Sequence, residues 1–215
     1  MTHTLHRIGD ESSLKEDYVV LVMPSKDINH QGSGPKLRRF LEMALEAGAV
    51  KIGDARLGNE YHQGGIDRLL ANVEDRAVVH AVFNDYDKLA KLIKALKEED
   101  LGMSVVVSGL FEMTEQCINE VGLEKHTINQ SLGRWGQTDK LPDPQILQFN
   151  TMCGHGMVTL NLIKEVIADV KQGNCTPEEG AERLFKPCMC GIFNPHRAAN
   201  LLQDLVEKDN KSIDS

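Results

Sequence analysis

Apolar and polar positions along this chain alternate between two periods. Residues 18–23 (Tyr-Val-Val-Leu-Val-Met) form an apolar run of strand length. Residues 36–47 place Leu37, Phe40, Leu41, Ala44 and Leu45 at helical spacing, with Pro35 suited to the first turn and Gly48 to the end. Residues 50–53 form a short, weak strand. Ile66, Leu69, Leu70 and Val73 then predict a short helix over 66–73. The pattern continues with a strand at 77–83, a helix at 86–99 with Leu89, Leu92, Ile93 and Leu96 inward, a strand at 103–108 and a helix at 110–121. A fifth strand is expected at 126–132. Residues 1–16 read as a loose lead-in.

Strands alternating with helices predict an α/β fold with a mainly parallel, doubly wound sheet. The weakness of the strand at 50–53 leaves one alternative, a ferredoxin-like βαββαβ unit over 17–108. The helix read at 66–73 favours the doubly wound form. Residues 136–151 carry Pro and little periodicity, as a linker does. Beyond them the chain turns helical. Val158, Leu162, Ile163, Val166, Ile167 and Val170 make one apolar stripe; Thr176-Pro177-Glu178-Glu179 is a capped helix start; Asn194-Pro195 opens a helix facing inward with Ala198, Leu201, Leu202, Leu205 and Val206. The tail DNKSIDS is polar and expected to fray. The expected division is an α/β domain at 17–135, a linker at 136–151 and a helical, cysteine-rich unit at 152–207.

Charge changes the picture of partners. The 24 Lys and Arg stand against 32 Asp and Glu, a net −8, which speaks against a nucleic-acid or anionic-membrane partner. No apolar run approaches the roughly 18 residues of a membrane helix, and the polar start lacks a signal peptide's apolar core. A cytoplasmic protein is expected. Five cysteines (Cys117, Cys153, Cys175, Cys188, Cys190) in such a chain point to metal or thiol chemistry rather than structural disulfides.

Cys153 lies in Met152-Cys153-Gly154-His155-Gly156-Met157, read as the loop just before a helix, where the dipole would lower its pKa. Cys188-Met189-Cys190-Gly191 lies between two helices, and Pro187 and Gly191 suit the sharp turn a Cys-x-Cys pair needs to reach one centre. Thiolates converging from two helix junctions are what iron–sulfur clusters and zinc use. Cys153, Cys188 and Cys190 are the expected ligands. The fourth position stays open among His155, Cys175, Cys117, an exogenous molecule, or a residue from a second copy in a homodimer.

Residues 152–206 resemble the helical [2Fe–2S] domain of the xanthine dehydrogenase, aldehyde oxidoreductase and carbon monoxide dehydrogenase small-subunit family. The resemblance rests on Cys153-Gly154, Gly156-Met157, Thr176-Pro177-Glu178-Glu179, Cys188-Met189-Cys190-Gly191 and Arg197-Ala198 with Leu201-Leu202. It implies a cluster-binding unit with Cys153, Cys188 and Cys190 as ligands. His155 and a shorter loop stand where the family has a second cysteine, and no plant-type ferredoxin domain precedes the unit. Met152-Cys153-Gly154-His155-Gly156 also resembles the catalytic-cysteine motif of the proline racemase family. That resemblance implies Cys153 as an acid/base at a substrate α-carbon, with the amides of Gly154 and His155 binding a carboxylate.

In either topology the first two strands end at one sheet edge. The loops that follow each contain His-Gln-Gly: His30-Gln31-Gly32 and His62-Gln63-Gly64. Ligands bind at such edges, so Lys26, His30, Arg56 and His62, with Arg134, are expected to line a pocket for a small polar or anionic molecule. His80, inside the strand at 77–83, reads as a hydrogen-bonded core or interface residue. The leading expectation is an iron–sulfur protein holding a [4Fe–4S] or [2Fe–2S] cluster, a lyase or oxidoreductase acting on that molecule or a redox subunit with a protein partner. The alternatives are an electron-transfer or accessory subunit, a zinc-stabilised binding module, and a metal-free cysteine racemase or epimerase.

Overall fold

The computed structural model describes residues 4–213, with side chains described through residue 208. The chain divides into two compact units. Asp10–Ile128 together with Met189–Ile192 form an α/β unit; 4–9, Asn129–Cys188 and the C-terminal stretch from Phe193 form a helical unit.

The α/β unit runs α1 (Glu11–Leu14), β1 (Tyr18–Met23), α2 (Gly34–Ala47), β2 (Lys51–Asp54), β3 (Gly58–Asn59), α3 (Glu60–Gln63), α4 (Ile66–Ala71), β4 (Val79–Phe83), α5 (Tyr86–Glu99), β5 (Ser104–Ser108) and α6 (Phe111–Val121). The strand order is β3-β2-β4-β1-β5, and each neighbouring pair is antiparallel. The expected mainly parallel, doubly wound sheet is therefore overturned. Setting β3 aside, the order and directions are those of the βαββαβ alternative. The helix read at 66–73 exists as α4, but it does not carry the chain across the sheet. After β2 the chain reverses through the β3 hairpin and enters β4 at the end where β2 finished, pairing Lys51 with Val82 and Asp54 with Val79. A strand entered from that end must run antiparallel to β2.

One sheet face (Tyr18, Val20, Val22, Ile52, Val79, Ala81, Phe83) forms the core with Leu37, Phe40, Leu41 and Ala44 of α2 and Leu89, Leu92, Ile93 and Leu96 of α5. These helical positions are the predicted ones. On the opposite face Val19, Leu21, His80 and Val82 are buried as well. Part of that face is covered from within the unit, because Cys190 and Gly191 lie directly on β2 at Gly53.

The helical unit contains α7 (Pro144–Cys153), α8 (Leu160–Lys171), α9 (Pro177–Phe185) and α10 (Pro195–Ile213). Half of the expected linker at 136–151 is thus helix: Asp143 Oδ1 accepts the N–H of Gln145 and Pro144 opens the first turn. The Thr176 capping box forms as predicted. Gly180 brings α9 close to its neighbours, since a Cβ there would sit 2.9 Å from Val166 and 3.1 Å from Leu202. The expected strand at 126–132 is irregular and exposed, and Trp135 just beyond it is 84% exposed. Its indole N–H donates to the Leu132 carbonyl at 3.2 Å, which satisfies the one polar atom without burial. Residues 4–9 are no loose lead-in but belong to this unit, and residues 214–215 of the tail lie outside the described residues. Among the described residues no helix is long and apolar enough to cross a membrane.

Candidate metal centre

Cys153 is the last residue of α7, not a residue just ahead of a helix start. Gly154 follows in the left-handed conformation, φ 68°, and ends the helix. The expected lowering of its pKa by a helix N-terminus therefore fails on position. The chain then turns through Gly156, φ 73°, and Asn150 Nδ2 donates to the Val158 carbonyl at 3.0 Å, pinning the loop to α7. The folded loop turns the backbone N–H groups of Val158 and His155 onto the Cys153 sulfur.

Cys188 reaches the same place from the end of α9, where its N–H donates to the Phe185 carbonyl at 2.8 Å. Both cysteines are fully buried, and their thiols are in hydrogen-bond contact. That contact and burial hold the Cys153 thiol well above its ordinary range, while the two backbone N–H groups pull the other way. In this surrounding the Cys153 thiol stays protonated at neutral pH. Arg7 Nη2 donates to the Met152 carbonyl at 3.0 Å and Ile8 N–H to Thr151 Oγ1 at 3.1 Å, so the N-terminal segment straps the end of α7 beside Cys153. The buried Arg197 holds the strap, donating to the Ile8 carbonyl at 2.6 Å. Nothing in the short sequence of residues 4–9 signals this role.

The other candidates separate. Cys190 is buried in the α/β unit, on Gly53 of β2. The His155 side chain is exposed, Cys175 is partly exposed, and Cys117 is buried inside α6, where burial and then the charge of Glu120 push its thiol up to about 11. Among the described residues no three His, Cys, Asp or Glu side chains converge as a metal-holding group.

No protein-family model, curated protein or solved structure matches this chain. The cysteine geometry stands on its own.

The two glycine loops do share one edge of the α/β sheet, since β1 and β2 both run antiparallel to β4. Their basic groups are largely engaged there. His30 Nδ1 accepts the Asp27 N–H at 2.8 Å; Arg56 is ion-paired with Glu74; His62 Nδ1 lies 3.0 Å from Asn59 Oδ1. Asp75 accepts the N–H groups of Gly32 and Gly34, both at 2.8 Å, and closes the first loop. Lys26 is exposed, and Arg134 belongs to the helical unit.

Proposed function

We propose that this protein carries a thiolate-bound metal centre, an iron–sulfur cluster, with Cys153 and Cys188 as protein ligands, and that it works as a redox subunit or cluster-dependent enzyme on a small polar molecule. The observation that carries the reading is the meeting of two fully buried thiols, one of them under the backbone N–H groups of Val158 and His155. Amide N–H donors to sulfur and exclusion of water are what tune and protect an iron-bound thiolate.

The donor set fits the group in chemistry: two soft sulfurs, both fully buried. Metal binding by such a pair releases both thiol protons, so its affinity rises with pH. When bound, a cluster supplies one-electron transfer, or Lewis acidity where one iron lacks a protein ligand. The chain's own part is to hold Cys153 with the Asn150-pinned loop and to keep water away. The same burial argues against the racemase reading, since an acid/base thiol must reach a substrate carbon and ionise near neutral pH.

The test is iron, zinc and acid-labile sulfide per chain in protein purified without air. Iron with matching sulfide, lost in Cys153→Ser and Cys188→Ser but kept in Cys117→Ser, is the expected result. Zinc without sulfide overturns the redox reading in favour of a structural site. Neither metal in the anaerobic wild type overturns the metal reading altogether.

A further inference from the structure

Cys153 and Cys188 belong to the same unit, both fully buried, with their sulfurs in hydrogen-bond contact. Neither is held in the interior of a helix. Cys153 is the last residue of α7, followed by Gly154 in the left-handed conformation, and Cys188 lies just past the end of α9. Bringing two touching sulfurs to the bonded distance of about 2.05 Å therefore falls on two chain ends, where small backbone shifts are least costly. A bond there would enclose α8 and α9. The cover over Cys153 is also thin. The loop that lays the N–H groups of His155 and Val158 on its sulfur is exposed throughout 154–157. The hydrogen bond from Asn150 Nδ2 to the Val158 carbonyl, at 3.0 Å, pins this loop to α7.

We infer that Cys153 and Cys188 are a redox-active dithiol: hydrogen peroxide closes them to a disulfide in the metal-free chain, and the disulfide keeps a metal out. The crosslink stands on the meeting of the two thiols, and only the control of metal loading rests on the metal reading above. The Cys153 sulfur attacks one peroxide oxygen, the O–O bond breaks, and the products are a sulfenic acid and one water. The Cys188 sulfur then attacks the Cys153 sulfur, the S–O bond breaks, and a second water leaves with the remaining thiol proton. Two electrons pass from the two thiols to the peroxide. Cys153 is the sulfur attacked first, because an oxidant barely larger than water needs only a brief lifting of the exposed loop to reach it. Once the sulfurs are bonded to each other, neither is a thiolate for a cation.

The test takes the full chain, reduced and freed of metal by a chelator without air, and treats it with hydrogen peroxide before acid quenching and peptide mapping. The expected result is the loss of two hydrogens from the intact mass and a linked Cys153–Cys188 peptide. The link should be absent in Cys153→Ser and Cys188→Ser and kept in Cys175→Ser. Asn150→Ala, which unpins the loop, should close the crosslink about fivefold faster; an unchanged rate overturns the loop as the route of entry. Cobalt(II), added after the peroxide is removed, should give its sulfur-to-metal absorption in the reduced chain, lose it in the crosslinked chain and regain it after reduction. Oxygen added to Cys175 with no internal crosslink, a link to any other cysteine, or a link formed only in urea overturns the dithiol. A crosslinked chain that binds cobalt as the reduced chain does overturns the control of loading. A reduced wild type that binds neither cobalt, zinc nor iron overturns the metal reading and leaves the disulfide standing.

Discussion

Single residues decide more here than their size implies, and Gly53 is the clearest case. Any side chain at this position collides with the backbone of Cys190 and Gly191 rather than with a flexible side chain. Gly53→Ala should therefore destabilise the chain by about 1–3 kcal/mol, read as a lowered urea midpoint of the metal-free protein; an unchanged midpoint would mean that the Cys190 turn does not rest on β2. The five cysteines divide by the same logic of access. Cys175 is partly exposed while the other four are buried, so a thiol reagent at pH 8 should label Cys175 first in the native chain and the rest only on unfolding. Fast labelling of Cys153 would contradict its burial. The two cysteine motifs stand out in the sequence, because Cys-Gly-His-Gly and Cys-Met-Cys are local patterns. The state of Cys153 was not, because its pKa depends on which end of a helix it occupies and on a second sulfur brought in from α9.

At the scale of elements, periodicity and capping chemistry carried well. The buried faces of α2 and α5 are the residues that helical spacing marks, and α9 begins with the reciprocal Thr176–Glu179 capping box. Thr176→Ala removes the acceptor for the Glu179 N–H and should cost about 1 kcal/mol, a drop in melting temperature of about 2–4 °C for a chain of this size. No drop would mean that α9 is held by packing alone. Elements were missed where Pro and Gly punctuation hid a helix. Asp143-Pro144 is a cap followed by a first-turn proline, and the helix it opens ends on Cys153. The strand expected at 126–132 failed for the converse reason. Its apolar residues Ile128 and Leu132 find no face to bury against and stay exposed.

For the molecule as a whole, the pH dependence follows from two core groups of the α/β unit. Burial, then the charge of Asp85, pushes the Tyr18 phenol up to about 12, and burial pushes the Cys117 thiol up to about 11. Both stay protonated in the native state at pH values where the unfolded chain has already released its protons. Over that window the native state binds more protons, so stability falls as pH rises. The urea midpoint of the metal-free chain should decline from about pH 9 to about pH 12; a midpoint that is flat or rises over this range would contradict the burial of these groups. The sequence by itself determined what local interactions encode: the alternation of strands and helices, the faces they bury, the cap of α9, and a cysteine-rich helical segment. The tertiary structure alone decided the strand order and directions, the N-terminal strap on α7, the contact of Cys153 with Cys188, and the seat of Cys190 on Gly53 opposite His80. Period-two and period-3.6 patterns say which side of an element is apolar, and nothing in them says which strand lies beside which, because pairing is settled by contacts between residues far apart in the chain.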